Sequence, residues 1–215
     1  MDFLSWCNTM KDIEMVYNFM TKLYNYWKWL IVCDNCLGWD MSIVEQSSNL
    51  VIRRGTAEDL EEMKDFLSEC IRVNKYIYGE YDWSEFPLED ATFGTFQEVF
   101  GQGNLLLGLE EEELKGIVVI TKKNAEKYKH VGNITLALKN EEDVSTIGKE
   151  LIARMLLVCK GKGIIRKVNL RVREDHFKIQ EIYKNLGFYE EGSLARDICL
   201  NGMFYSTILY GRSID

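Results

Sequence analysis

Three groups of residues carry chemistry by type and spacing. The first is Ser145-Thr146-Ile147-Gly148-Lys149, which follows Glu141, Glu142 and Asp143. From Ile147 onward, Leu151, Met155, Leu156 and Cys159 recur every three or four positions, the mark of an amphipathic helix. Two hydroxyls, a glycine and a lysine therefore stand where a helix begins. Such an end leaves main-chain N–H groups unpaired and carries roughly half a positive charge, so it suits a phosphate. The three upstream carboxylates oppose this: an exposed like-charge pair costs about 1 kcal/mol, against about 8 kcal/mol for a micromolar ligand. They weaken an anion site without abolishing it.

The second group lies in residues 75–87, where Tyr76, Tyr78, Tyr81, Trp83 and Phe86 interleave with Glu80, Asp82 and Glu85. Ring faces attract cations by about 0.5–2 kcal/mol, and carboxylates add Coulomb attraction. A solvated acidic loop over packed aromatics explains the same pattern. The third group is His176 and Tyr183 on a helix that Asp175 is expected to cap and Gly187 to stop. On residue type alone Tyr183 is a packing tyrosine, and His176 a capping or surface histidine able to donate one hydrogen bond.

The elements that must hold these groups are legible in the spacing. Leu50 to Arg54 reads as a strand, and Thr56 with Asp59 caps a helix through Leu60, Met63, Phe66, Leu67, Cys70 and Val73. A second helix is expected from Leu88 to about Phe100. Strands follow at Asn104–Leu109, Leu114–Lys122 and Ile134–Leu138, then the Ile147 helix, ended by Gly161 and Gly163. Val168, Leu170 and Val172 alternate with Asn169 and Arg171 in the next strand. Two last strands, Ser193–Leu200 and Met203–Tyr210, flank Asn201-Gly202, a strong hairpin signal.

Residues 1–40 differ in composition, holding four of the five tryptophans. Helical spacing from Ile13 to Ile31 predicts an N-terminal helical extension over residues 1–48, ahead of a main domain over 49–215. The extension is read as a packed helix, with a dimer-forming or membrane-surface helix as the sharper alternatives, the latter weak with three lysines on its polar face. Cys33 and Cys36 form a C-x-x-C, but no second pair follows at zinc spacing and the histidines are His130 and His176 alone, so no metal is expected.

Over 215 residues the chain is 47% hydrophobic and 28% charged, with a net charge of −8 and a pI near 5.0. That balance argues against nucleic acid as a partner, since phosphate neutralisation needs a basic face. No apolar run approaches the ~18 residues that span a bilayer, and no secretory signal is read, so a cytoplasmic protein without a membrane partner is expected.

The order of elements and two motifs together resemble the GNAT N-acetyltransferase superfamily over about residues 50–211. Its coenzyme motif, Arg or Gln, two residues, Gly, one residue, Gly or Ala, falls on Asp143, Thr146 and Gly148 and is degraded. Its later motif, an Asn followed seven residues on by Tyr and then Leu-Gly-Phe, falls on His176, Tyr183 and Leu186-Gly187-Phe188 and is nearly intact. The resemblance implies an α/β (α+β) fold: a mixed, mostly antiparallel seven-stranded sheet, splayed between strands 4 and 5 and flanked by about four helices. It implies acetyl-CoA as co-substrate and a small-molecule or peptide amine as acceptor. The coenzyme would be held by the main chain of Leu136 and Leu138, by Ser145, Thr146, Ile147, Gly148 and Lys149, and by His176 in place of the asparagine. Tyr183 would protonate the departing thiolate. Tyr78, Glu80, Tyr81 and Trp83 lie where the family binds its acceptor, and their chemistry points to a cationic amine. A GNAT-fold protein that binds acyl-CoA or a protein partner without turnover is the other reading, and a homodimer through residues 1–40 a further expectation.

Overall fold

The computed structural model describes residues 50–73, 77–79, 81–101, 103–122 and 125–214. The expected N-terminal extension, Cys33, Cys36, Tyr76 and Glu80 lie outside the described residues.

The chain enters through β1 (Leu50–Arg54) and turns into α1 (Leu60–Val73) through a short 3₁₀ turn. Thr56 and Asp59 form the expected capping box, and the Asp59 carboxylate also takes Arg53 at 2.5 and 2.7 Å. That pairing, led by the Arg53 hydrogen bond, holds the Asp59 carboxyl down at about 2. A short strand, β2 (Ile77–Gly79), follows, then α2 (Phe93–Phe100), capped by Thr92. The helix begins five residues later than the spacing suggested, because Leu88–Asp90 form a turn instead.

Then come β3 (Leu105–Glu110), β4 (Glu113–Lys122), β5 (Val131–Leu138), α3 (Ile147–Lys162), β6 (Lys167–Arg173), α4 (Phe177–Asn185) and the long hairpin β7 (Tyr189–Leu200)–β8 (Met203–Ser213). At its turn Asn201 and Gly202 both take positive φ, 50° and 78°, as a tight hairpin requires. The strands form one mixed sheet in the order β1-β3-β4-β5-β6-β8-β7, with β2 added on β5. Among the described strands only β5 and β6 run parallel. Among the described residues the sheet has eight strands rather than seven; the addition is Ile77–Gly79, three residues flanked by charge and aromatics that carry no measurable period.

One face of the sheet packs against α1 and α2. There Trp83, Phe86, Phe96 and Phe100 join Met63, Leu67, Ile117 and Ala137 in a continuous core. Phe86 and Phe96 lie 4.5 Å apart between ring centroids, so much of the aromatic run is interior. On the opposite face α3 lies close to β5: a Cβ on Gly148 would stand 3.0 Å from Leu138 and 3.3 Å from Leu136.

Candidate functional site

The site begins where two parallel strands part. β5 and β6 pair through Val131–Lys167, Gly132–Val168 and Asn133–Asn169, and no further. Past this fork the two strands differ. All eight residues of β5 are buried, while β6 alternates, burying Val168, Leu170 and Val172 and leaving Asn169, Arg171 and Arg173 half-buried. A cleft of about 490 Å³ opens beside β6, walled by Tyr78, Tyr81, Trp83, Arg171, Arg173 and His176. Ile198, Leu200 and Thr207 from β7 and β8 close its other side.

The two arginines are neutralised in place. Arg171 donates to Asp197 and, at 3.3 Å, to Thr207, whose hydroxyl also donates to Asp197. Arg173 holds Asp175 at 2.5 and 3.0 Å and lies 4.5 Å over the Tyr205 ring. Asp175 is thus spent on Arg173, and His176 rather than Asp175 stands at the N-cap of α4, without a side-chain capping bond. Neither arginine was singled out from the sequence. The available signal was Asn169, Arg171 and Arg173 on every second residue of a strand whose other face is apolar.

His176 lines the cleft half-buried, edge-on to Tyr78 with ring centroids 5.2 Å apart. Burial, and then the Arg173 guanidinium, hold its pKa below the usual 6.5, so the ring is neutral near pH 7. About two turns further into α4, Tyr183 is wholly buried against Tyr210 and Phe188, at 5.5 and 5.9 Å between centroids. Its hydroxyl has no hydrogen-bond partner among the described residues. Burial first, then Tyr78 and Tyr210, push its pKa upward, so the phenol keeps its proton at any ordinary pH. A buried donor left unpaired is costly, and such groups in native proteins call for a reason.

The start of α3 is built differently. Ser145, Thr146 and Lys149 are exposed, whereas Ile147 and Gly148 are buried. Gly148 therefore meets the sheet rather than solvent; its lack of a side chain seats the helix on β5. The Thr146 hydroxyl reaches back to the Asp143 carbonyl at 3.5 Å, and Lys178 of α4 pairs with Glu141 at 3.1 Å. Leu136 and Leu138 point their side chains into the core, at 0% and 1% exposure.

On the acceptor side, Tyr81 is half-buried and its N–H donates to Thr135 Oγ1 at 3.0 Å. Trp83, 1% exposed, belongs to the core and shows one edge to the cleft. Asp82 is exposed and lines the cleft, while Glu85 is exposed elsewhere. Among the described residues no cluster of three or more His, Cys, Asp or Glu is placed to hold a metal ion, and no helix is long and apolar enough to cross a membrane.

The model of the acetyltransferase (GNAT) family matches residues 60–188, more than half of the chain. The chain belongs to the acetyltransferase (GNAT) family. Solved structures agree in fold. A GNAT-family acetyltransferase from Streptococcus pneumoniae superposes with a TM-score of 0.66 at 22% identity, covering 77% of this chain and 99% of its own. An N-acetyltransferase from Staphylococcus aureus gives 0.66 at 14% identity over 78% and 100%. A phosphinothricin acetyltransferase from Sinorhizobium meliloti, solved with acetyl-CoA, gives 0.63 at 19% identity over 77% and 89%. No curated protein sequence matches the chain. For this GNAT acetyltransferase the fork between β5 and β6 is the family's sheet opening, and the residues around it are the candidate active site.

Proposed function

We propose that this protein moves the acetyl group of acetyl-CoA to a primary amine held in the cleft beside β6. The observation that carries the reading is Tyr183: a buried, protonated phenol whose hydroxyl has no partner among the described residues. A departing thiolate is the partner it lacks. Acetyl-CoA supplies a thioester whose carbonyl the amine nitrogen attacks as the carbon–sulfur bond breaks. Tyr183 gives its proton to the sulfur, and the amine loses one to solvent or a base.

The remaining roles follow from position. Unpaired main-chain N–H groups at Ser145–Lys149 would take the pyrophosphate, with the Lys149 ammonium beside them. Glu141, tied to Lys178, repels that group less than a solitary carboxylate would. Leu136 and Leu138 would hold the pantetheine arm through main-chain groups, as the family does, and His176 would lie beside it.

For the acceptor we infer a cationic amine, such as a polyamine or a basic peptide N-terminus. Asp82 lines the cleft with the Tyr81 and Trp83 rings, and Arg171 and Arg173 each already carry a carboxylate, so neither opposes a positive charge. Thiol release from acetyl-CoA, measured over a panel of amines, tests both parts. Release with spermidine above that with glutamate, reduced by salt and by Asp82→Asn, is expected. Preference for glutamate overturns the acceptor class. Coenzyme binding with no release for any amine overturns the transferase reading in favour of binding without turnover.

A further inference from the structure

Past the fork, the edge of β5 that turns away from β4 is already taken. Ile77, Tyr78 and Gly79 pair with it antiparallel, opposite Ala137, Leu136 and Thr135. Lys139 donates its N–H to Lys115 on the β4 side at 3.1 Å. Main-chain groups alternate sides along a strand, so Leu138 and Leu136 turn theirs to the other edge. There the Leu138 carbonyl accepts the Cys70 thiol at 3.5 Å, and Leu136 faces Tyr78.

The side chain of β2 matters as much as its backbone. Residues opposite one another in an antiparallel pair share a face, so Tyr78 points with Leu136 toward α3 and α4. It is 5% exposed, meets His176 edge-on, and lies near enough to Tyr183 to disfavour the Tyr183 phenolate. Gly79 completes the fit. At φ +140° its absent Cβ would stand 2.6 Å from both the Ile134 carbonyl oxygen and the Thr135 Cα, so no larger residue sits this close to β5.

We propose that β2 is an internal occupant of the coenzyme channel. Ile77–Gly79 and the pantetheine arm are alternative partners for the main-chain groups of Leu136, and Tyr78 fills the space the thioester needs beside Tyr183. Acetyl-CoA binds only to molecules in which β2 has left β5. The inference rests on the reading of acetyl-CoA as co-substrate. It accounts for the unpartnered Tyr183 hydroxyl: with β2 in place, the group that should meet it is kept out. It also has an unusual consequence. When the competent state is a fraction of molecules, apparent affinity falls by that fraction, so weakening β2 strengthens binding.

The test is calorimetry of acetyl-CoA on the full chain, wild type against Tyr78→Ala. A residue that merely contacts coenzyme loses affinity on truncation; an occupant raises it, here by at least threefold. Gly79→Ala is the second variant, since its Cβ collides with β5 while every side chain of the site stays, and the same sign is expected. Amide exchange gives an independent readout. Acetyl-CoA should speed exchange at Tyr78 at least tenfold while Leu136 stays protected by its new partner. Binding by wild type with unchanged or weaker affinity in both variants, or slower exchange at Tyr78, overturns the occupant. No acetyl-CoA binding by any of the three proteins removes the coenzyme reading itself, and this inference falls with it.

Discussion

The starts of α3 and α4, linked by the Lys178–Glu141 pair, are built on opposite principles. At α3 the side chains of Ser145, Thr146 and Lys149 stand in solvent, and the buried Gly148 serves only to seat the helix on Leu136 and Leu138. In α4 the key side chain, Tyr183, is fully enclosed and His176 half so. A phosphate is held by main-chain N–H groups that every residue except proline supplies, so side chains there are free to vary. A proton donor is one atom on one side chain, and its surroundings set its pKa. The proposed roles fit that contrast: the motif at α3 has Asp143 and Thr146 in place of Arg or Gln and Gly, while the one at α4 is nearly whole.

The largest effect should come from α4. Tyr183→Phe keeps the ring packing and deletes the proton, so turnover should fall by roughly ten- to a thousandfold with acetyl-CoA affinity little changed. Steady-state rates alongside calorimetry check this, and intact turnover would make Tyr183 an ordinary core residue. Next is Gly148→Glu, which drives a carboxylate into contact with Leu138 and Leu136. Affinity should drop at least tenfold, and stability by about 3 kcal/mol, because the helix is pushed off β5 and a charge is buried. Denaturant melts separate this from a local block at the coenzyme. Gly148→Ala, with its Cβ at 3.0 Å from Leu138, should cost about 1 kcal/mol and bind nearly as before.

Smaller shifts should come from single charges. Asp143→Asn removes one carboxylate from the start of α3, and about 1 kcal/mol of relieved repulsion raises acetyl-CoA affinity by up to about fivefold at low salt. Titrations at two salt concentrations would show it, and a salt-independent gain would point away from Coulomb repulsion. The smallest effect concerns His176, whose pKa is depressed by burial and then by Arg173, with Asp175 and Glu141 acting the other way. The folded state prefers the neutral ring, so its contribution is complete above the unfolded value near 6.5 and declines as pH falls below it. His176→Asn should therefore lose less stability than wild type between pH 7.5 and pH 5.5 in denaturant melts.

Much of this was legible in the chain. Helical spacing from Ile147 to Cys159, alternation from Val168 to Val172, the Thr56–Asp59 cap and the Asn201-Gly202 turn all report local rules, so they survive folding. Leu186-Gly187-Phe188 following Tyr183 is a local pattern of the same kind. The aromatic run from Tyr78 to Phe86 was harder to read, because ring type does not say whether a ring packs or binds. Trp83 and Phe86 entered the core, while Asp82 and an edge of Tyr81 reached the cleft.

By itself the sequence determined most of the order of elements and the helix that carries the proposed proton donor, since both depend on residues near one another in the chain. Only the tertiary structure decided that Tyr183 would lack a partner among the described residues, that Arg171 would meet Asp197 across the β6–β8–β7 strands, and that Ile77–Gly79 would lie along β5. Each of these joins residues far apart in sequence. Whether a donor is satisfied, a charge neutralised or a strand edge covered depends on what else occupies the same space, and no local pattern of residue types encodes that.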